Sequence, residues 1–558
     1  MNVGQDQVNI WTQDYAAIGG SEILTALVAL VPIVFFLLAL TVLKLKGHIA
    51  ALFTLVIAAV IATFLYGMPF QATASATLLG ILSGLWPIAW IVIWAIFIYN
   101  ICVRSGKFEV IRSFISGISD DQRVQVLLIA FAFGAFLEGV AGFGIPIAIG
   151  AALLIGCGFK NPIMAAALCL VANMASAPTG AIGIPVTVAA QVTHIDASVL
   201  SALISRQLSI VIFILPFWLV AMVDGIRGIK DTLPMILVVS IVSMVTAYIV
   251  YNYIGHELSD IIIGVAAMIA VIVFSRIWKP RRKLTAEGYV QDSQATTNNT
   301  EVKTYSAAQT IFAWSPFIVI TVLALVWTLP GVKSALSFLT STFEMPALHG
   351  AIQKGARLAA ENQAPESAIW RFDVLTSVGT ALFFAAVYTL IAFRVKLTTA
   401  ISVLVATIKQ LLFPILTICF VLAFAKVADY SGQTGSIAIL LSQTGVVFPV
   451  LAPLLGMLGV FLTGSVVNSN TLFAKVQVTT AQLIHVDPNL LAASNTLGAI
   501  TGKVISPQSI AIGCAAAGAQ GREGELLSYV LKHAVIFAIF ICILTVLQAY
   551  VLTWTTIV

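Results

Sequence analysis

The chain has 558 residues, of which 60% are hydrophobic and only 9% are charged, and its formal net charge is +5. Soluble domains average roughly 25% charged residues, so this composition excludes a soluble enzyme, a nucleic-acid-binding protein and a disordered scaffold. The apolar runs are continuous and do not alternate, which predicts helices in the membrane and not strands. We therefore predict an all-α polytopic membrane protein with about 12–14 transmembrane segments and no soluble catalytic domain.

Two apolar stretches, 123–195 and 446–518, differ from the others because they are rich in Gly, Pro, Asn and Thr. Such segments are poor continuous helices, so they predict interrupted helices or re-entrant hairpins. In chain order we predict N-terminal transmembrane helices (1–83), a first repeat with a broken-helix hairpin (84–195), connecting transmembrane helices (196–278), a flexible cytoplasmic linker (279–310), transmembrane helices with an external loop at 330–371 (311–410), a second repeat with a broken-helix hairpin (411–520) and a C-terminal transmembrane helix (521–558).

An internal duplication relates the two interrupted regions. The segment Gly134-Ala-Phe-Leu-Glu-Gly139 resembles Gly459-Val-Phe-Leu-Thr-Gly464, and the pair Ser105-Gly106 resembles Ser431-Gly432. The pattern Asn-x5-Thr-Gly-x4-Pro begins at Asn173 and again at Asn495. Matched neighbours on both sides of this pattern favour duplication over chance.

Charge predicts the relative orientation of the two copies. Lysine and arginine flank Ser105-Gly106, whereas residues 427–474 contain neither, and this bias is reversed at the far end of each copy. Because basic residues favour the cytoplasmic side, the pattern predicts two inverted-topology repeats. The basic loops of the whole chain fit one placement, in which the N- and C-termini are external.

Two ionisable residues of the interrupted regions are candidates for transport chemistry. Glu138 lies among helix-breaking glycines, and a carboxylate at membrane depth tends to take up a proton. Lys503 lies in Thr501-Gly-Lys-Val-Ile-Ser-Pro507 without a charged neighbour in sequence. A buried ammonium requires an anion, which either a substrate carboxylate or Glu138 of the other copy can supply. The alternatives are a structural carboxyl that caps free N–H groups and a lysine that snorkels to the interface.

Neutral polar residues near the predicted breaks can bind a carboxylate, or they can simply cap the opened backbone. For each residue the capping role is as well supported as a substrate role. The candidates of this kind are Asn173, Thr179, Ser494, Asn495, Thr496, Thr501 and Gln508. Accessory candidates are Arg206, which can equally start a span, together with Lys475 and Asn468. Lys426 precedes Asp429 by three residues, which favours an i,i+3 ion pair within one helix.

Sequence motifs of other chemistries are absent. The chain has no GxxxxGK[ST] loop for nucleotide-driven pumping, no His/Cys cluster for a metal, and no HExxH or GxSxG motif for hydrolysis. We therefore expect no cofactor, no metal, no nucleic acid and no enzymatic activity. The inverted repeat favours a secondary transporter for a small-molecule carboxylate, whose partners are the membrane lipid and a coupling ion.

Seven segments carry a family resemblance: Leu85-Trp-Pro-Ile-Ala-Trp90, Gly134-Ala-Phe-Leu-Glu-Gly-Val-Ala-Gly-Phe-Gly144, Arg206-Gln207, Val460-Phe-Leu-Thr-Gly-Ser465, Gly502-Lys503, Ile505-Ser-Pro-Gln-Ser-Ile-Ala511 and Leu547-Gln-Ala-Tyr-Val-Leu-Thr-Trp554. Through them the chain resembles, over nearly its whole length, the L-lactate permease family of bacterial secondary transporters. The resemblance implies proton symport of L-lactate, glycolate and D-lactate across the bacterial inner membrane. It also implies an acid directly after Gly464-Ser465, where this chain has Val466.

Our leading interpretation is proton-coupled uptake of a 2-hydroxy monocarboxylate. Lys503 then meets the substrate carboxylate, Glu138 carries the coupled proton, and the neutral polar residues line the site. The alternatives are a Na⁺-coupled transporter of another small carboxylate and an uncoupled anion channel or sensor. The sequence leaves the oligomeric state open.

Overall fold

The computed structural model describes residues 10–285, 288–291, 305–359 and 363–557, and helices dominate them. Ten helices of this part are long and apolar enough to cross a membrane, and one bent pair makes an eleventh span. The helix Ala197–Ile254 has 58 residues and breaks at Gly225, where φ is +62°. Since each arm is longer than one span, counting the arms separately gives twelve, the lower end of the predicted range.

The first half contains the bent pair, in which the helical segments Pro162–Ala175 and Ala177–Thr193 meet at an angle of 62°. The helices of this half are α1 (Glu22–Thr41), α2 (Gly47–Leu65), α3 (Phe70–Ser83), α4 (Trp90–Arg104), α5 (Lys107–Ser116), α6 (Gln122–Val140), α7 (Ile145–Gly156), α8 (Pro162–Ala172), α9 (Gly180–Thr193), α10 (Ala197–Ile254) and α11 (Ser259–Ile277).

The second half begins after a polar segment and ends with a long helix. Its helices are α12 (Ala307–Thr328), α13 (Pro330–Leu336), α14 (Val378–Ala392), α15 (Leu397–Tyr430), α16 (Gln433–Ser442), α17 (Phe448–Thr463), α18 (466–483, with a π turn at Asn470–Ala474), α19 (Pro488–Ile505), α20 (Pro507–Ala517) and α21 (Glu523–Tyr550).

Side-chain caps define several helix starts. Asn161 accepts hydrogen bonds from the backbone of Ile163 and Met164, and Asp487 accepts one from Asn489. Each cap is followed by proline at the first helical turn, where the missing N–H costs nothing. These local signals fix where the two helices α8 and α19 begin.

The outer surface of the helices is apolar. On α1, Leu27, Val31, Val34 and Leu38 lie on one face and are each about half exposed. A stripe of this kind in a water-soluble protein would be a large exposed hydrophobic patch, so it indicates contact with lipid.

The two interrupted regions contain the same succession of elements. In each, a long helix ends at a glycine in the left-handed conformation, Gly106 with φ +71° and Gly432 with φ +88°. A short helix and a longer one follow, and the longer one breaks near a second left-handed glycine, Gly144 or Gly464. This recurrence supports the predicted duplication, while the opposite orientation of the copies stays a prediction.

Small residues allow α17 and α19 to pack closely. A Cβ at Gly498 would lie 1.8 Å from the carbonyl oxygen of Pro453, and one at Gly456 would lie 2.0 Å from that of Asn495. The two backbones therefore touch, as in the small-residue helix contacts of other membrane proteins.

The described residues form three short two-stranded sheets, which lie outside the transmembrane helices. The strands Trp11–Thr12 (β1) and Ile352–Gln353 (β5) pair in parallel. The hairpin of Arg282–Thr285 (β2) and Gly288–Gln291 (β3) occupies the start of the predicted linker, whereas the segment 294–300, predicted to be flexible, lies outside the described residues. The antiparallel pair of Thr340–Glu344 (β4) and Ile369–Asp373 (β6) lies in the predicted external loop.

Candidate functional site

A cavity of about 600 Å³ lies where the breaks of the two repeats meet. Gly142–Gly144 of the first copy and Thr463–Ser465 of the second lie on its wall. The break between α8 and α9 also reaches it, through Ala181, which is left-handed at φ +50°. Unwound backbone at membrane depth is stable only where it is buried or lines an aqueous cavity, so this position agrees with the expectation from sequence.

An ion pair between the two repeats lies on the wall of this cavity. Lys503 Nζ donates a hydrogen bond to Glu138 Oε1 over 2.6 Å, and Asn173 Nδ2 donates to Glu138 Oε2 over 2.9 Å. The Glu138 side chain is only 3% exposed and the Lys503 side chain 12%. A Cβ at Gly180 would lie 2.3 Å from Glu138 Oε1, so glycine at this break makes room for the carboxylate.

Unpaired amide side chains complete the polar part of the wall. Gln508 and Asn468 line the cavity, and neither side chain has a hydrogen-bond partner among the described residues. The hydroxyl-bearing residues Ser465 and Ser509 line it too. Amides and hydroxyls can each donate and accept, so this wall can bind both a carboxylate and a neighbouring hydroxyl.

The opposite wall comes from helices outside the repeat breaks. Phe36 of α1, His48 of α2 and Phe413 of α15 line it, and the rings of His48 and Phe413 stack with centroids 4.3 Å apart. Lys46 also lines the cavity and is exposed. The cavity is therefore bounded by the repeat breaks on one side and by intact helices on the other, and it reaches the surface near Lys46.

Two predicted polar residues of the first copy lie behind the cavity wall. Asn173 holds Glu138, as described, and Thr179 donates to Asp260 Oδ1 over 2.8 Å. Thr179 also contacts the hydroxyl of Tyr251 over 2.7 Å. Neither Asn173 nor Thr179 lines the cavity in this conformation; both contact acids that lie at or behind its wall.

The polar residues of the second copy lie inside a continuous helix, which corrects the expectation that they mark a break. The helix α19 continues to Ile505, and the break follows at Ser506. Asn495 and Thr496 donate to Asn470 Oδ1, Ser494 accepts from Thr545, and Thr501 bonds the Gly498 carbonyl. Their polar groups find partners in neighbouring helices or the preceding turn, so the helix need not open.

Three lone cations also lie away from the large cavity. Arg206 donates to the carbonyl of Ile557. Lys475 lies 3.9 Å from Asp429 Oδ2. Lys426 donates to the carbonyl of Gln191 over 2.9 Å, and the predicted i,i+3 ion pair between Lys426 and Asp429 is not formed. Asp429 is engaged by Lys475 of another helix, which the spacing along α15 could not indicate.

The sequence analysis missed Asp260, a fully buried carboxyl on α11. Oδ1 of Asp260 accepts a hydrogen bond from Thr179, and Oδ2 has no hydrogen-bond partner within the described ranges. A Cβ at Gly139 would lie 2.8 Å from the Cβ of Asp260. Asp260 thus packs directly behind the residue that follows Glu138. It is an acid at the start of an apolar span, which reads as an ordinary first-turn helix residue, so only the fold reveals its position.

Comparisons with known proteins establish the family of the chain. The family model described as L-lactate permease matches residues 25–552. The glycolate permease GlcA of Escherichia coli strain K12 is 47% identical over 97% of this chain and 99% of its own length. The L-lactate permeases of Salmonella typhi and Bacillus subtilis strain 168 are 43% and 40% identical, and each match covers 98% of this chain and 99% or more of the relative. The chain therefore belongs to the L-lactate permease family, and it is a multi-pass membrane transporter and not an enzyme.

Proposed function

We propose that this protein takes up L-lactate, glycolate and D-lactate across the bacterial inner membrane in symport with protons. The substrate class is supported by the relatives, which are named for L-lactate and glycolate. The observation that carries the proposal is the ion pair of Lys503 with Glu138 on the wall of a cavity of about 600 Å³. That volume is within the usual range for small-molecule sites and leaves space for a small carboxylate together with water.

Lys503 is the binding group for the substrate carboxylate in this proposal. Among the described residues of the cavity wall, it is the only cation that is paired with an acid, and its partner comes from the other repeat. A substrate carboxylate that reaches Lys503 competes with Glu138 for the same ammonium. The amides of Gln508 and Asn468 are able to bond the 2-hydroxyl group, since neither side chain has a hydrogen-bond partner in the part of the chain that the structure describes.

Proton coupling follows from this exchange of anions. When the substrate displaces Glu138, the glutamate loses its cation while it stays buried, and an unpaired carboxylate at membrane depth is costly. Protonation of Glu138 removes that cost, so binding of the substrate anion and binding of one proton favour each other. The complex then carries the same net charge as the empty site, which suits movement across the membrane.

The test is uptake of labelled L-lactate into proteoliposomes that contain the purified protein. An inward proton gradient should drive transient accumulation above equilibrium without Na⁺, and Lys503→Ala should reduce the rate at least about 100-fold, the loss expected for a substrate ion pair. Lys409→Gln, which changes an exposed lysine of α15, is the matched control and should leave uptake unchanged.

Other outcomes have defined meanings. Accumulation that requires Na⁺ at zero pH gradient would replace proton symport with Na⁺-coupled transport. Conductance without accumulation would indicate an anion channel, and binding of lactate without flux would indicate a sensor. Full activity of Lys503→Ala would contradict the proposed site even if transport itself is confirmed.

A further inference from the structure

A second, much smaller cavity lies further along the helices that line the large one. It has a volume of about 20 Å³ and is lined by Lys426, Asp429, Thr434 and Lys475. Space of that size holds about one water molecule and no carboxylic acid. Lys426 is 6% exposed, so this is a nearly closed pocket of charged side chains inside the protein.

The same four elements line both cavities. On α1, Ala29 and Ile33 face the small cavity, and Phe36 and Leu40 face the large one. The other three helices also contribute to both cavities. The large cavity is lined by Pro185 of α9, Ile418 of α15 and Asn468 of α18. The small cavity is lined by Val192, Lys426 and Lys475 of the same helices. At 1.5 Å per residue, the cavities are about 10–12 Å apart along α15 and α18. The small cavity is thus a closed continuation of the large one.

Positive charge exceeds negative charge in the small cavity. Lys475 lies 3.9 Å from Asp429 Oδ2, and His194 also lies 3.9 Å from that atom. Lys426 has a backbone carbonyl as its hydrogen-bond acceptor and no ion pair among the described residues. Lys354, the remaining nearby cation, is paired with Glu366 over 3.3 Å. The pocket therefore holds two lysines and one carboxylate, and that carboxylate is paired with Lys475 and not with Lys426.

The pKa of His194 is lowered by the excess of positive charge in the small cavity. His194 lies in the loop after α9, outside the membrane spans, and the positive charge of Lys426, together with burial and Lys475, lowers its pKa from 6.5 to about 3. The histidine is therefore neutral at physiological pH and does not add to the charge. A desolvated pair of lysines with a single acid is a site that a further anion would stabilise.

We propose that Lys426 and Lys475 form a second anion-binding station for small monocarboxylates, on the branch of the transport pathway that is closed in this conformation. Asp429 occupies the station while the branch is shut. When the branch opens, an incoming carboxylate takes the place of Asp429 at Lys475 and also binds Lys426, before it moves on to Lys503. The inference rests on the proposed transport function and assigns to it a point of entry.

The positions of the two cavities define which side of the membrane each serves. The large cavity reaches the surface at Lys46, which the basic-residue pattern places in the cytoplasm. The small cavity lies toward Ser431-Gly432, the end of α15 that the same pattern places outside. The lysine station therefore faces external substrate.

The test compares Lys426→Gln, Lys475→Gln and the double variant in membrane vesicles of both orientations. We expect the KM for external L-lactate to rise about 5- to 20-fold in each single variant and further in the double variant. The KM from the cytoplasmic face should stay within about twofold. The maximal rate of efflux should fall in proportion to the loss of external affinity, because the transport equilibrium fixes the ratio of Vmax/KM in the two directions. Lys475→Arg should restore most of the external affinity, because it returns the charge. Lys409→Gln, on the same helix as Lys426, is the control.

Failure of the two proposals can be told apart. An unchanged external KM, or an equal rise of KM from both faces, would overturn the lysine station while leaving transport intact. Absence of carboxylate transport by the unaltered protein in either orientation would instead overturn the proposed function. Asp429→Asn gives an independent check: it should lower the external KM, since it removes the intramolecular competitor, and a raised KM would argue against the station.

Discussion

Lys503 Nζ and Glu138 Oε1 are 2.6 Å apart although 365 residues of chain separate them. Glu138 is the only acid between Asp121 and Asp196, and Lys503 is the only charged residue between Asp487 and Arg522. The fold joins the two segments so that these charges neutralise each other. The pair forms part of a cavity wall and is not sealed in the core. It can therefore be exchanged for another ion pair, which is the property that a carrier of anions requires.

Stability should depend on the ion pair in a non-additive way. Lys503→Ala leaves Glu138 buried without a cation and should cost about 3 kcal/mol of folding stability, whereas the addition of Glu138→Gln should recover most of this loss. Thermal unfolding of the two single variants and the double variant in detergent measures the coupling. Additive losses would show that the two side chains do not interact in the folded protein.

Proton coupling should be separable from substrate movement. Glu138→Gln keeps the shape and the hydrogen bond to Asn173 but cannot take up the proton. We expect it to abolish accumulation driven by a pH gradient while exchange of labelled for unlabelled lactate continues at a measurable rate. Accumulation at the unaltered level would exclude Glu138 as the proton carrier.

The amide side chains of the cavity wall should form hydrogen bonds with the 2-hydroxyl group of the substrate. Gln508→Ala removes an unpaired donor and acceptor from the wall, so it should raise the KM for L-lactate about 10-fold, which corresponds to one hydrogen bond of about 1.4 kcal/mol. Competition by propionate, which lacks the hydroxyl, should change little. An equal change for both acids would indicate a general effect on the cavity.

Asp260 should tolerate the loss of its charge better than the loss of its oxygen. Asp260→Asn retains an acceptor for Thr179 and should remain close to the unaltered protein in thermal stability. Asp260→Leu leaves the buried hydroxyl of Thr179 without this acceptor and should cost about 2 kcal/mol. The same stability for both variants would show that the hydrogen bond from Thr179 contributes nothing.

The His194 loop should give the folded protein a characteristic pH dependence. The pKa of His194 is about 3 in the folded state and 6.5 otherwise, so below pH 6.5 the unfolded chain binds a proton that the folded chain does not. Stability should therefore fall as the pH drops from 6.5 towards 3, and His194→Gln should remove part of that fall. Because the side chain is half exposed, we expect the melting temperatures of the two proteins to diverge by only about 2–4 °C at pH 5.

Close packing of α17 on α19 should tolerate no side chain at Gly498. Gly498→Ala places a methyl group 1.8 Å from the Pro453 carbonyl oxygen, so the helices must separate, at a cost of about 1–3 kcal/mol or more. Gly524→Ala is the control, because a Cβ at Gly524 meets no atom within 4 Å. Equal yields and melting temperatures of both variants would contradict the contact.

Sequence reasoning named the two charges that the fold brings together at the candidate site. Glu138 and Lys503 stand out because a charge in an apolar segment without a neighbouring counter-charge is costly, and glycine near such a charge predicts a break. The neutral candidates were less predictable. Thr179 and Thr501 occupy equivalent positions of a repeated pattern, yet Thr179 adjoins a break and Thr501 lies within a continuous helix. Whether a helix opens there depends on partners from other elements.

The sequence by itself determined the membrane location, the helical class, the repeated pattern and the identity of the isolated charges, because these follow from composition and from the free energy of transfer into lipid. Tertiary structure alone decided which charges meet. It joined Lys503 to Glu138, gave Asp429 to Lys475 instead of its neighbour Lys426, and placed Asp260 behind the cavity wall. The physical reason is that an ion pair forms where distance and desolvation allow it, and both are properties of the packed helices and not of the order of residues along the chain.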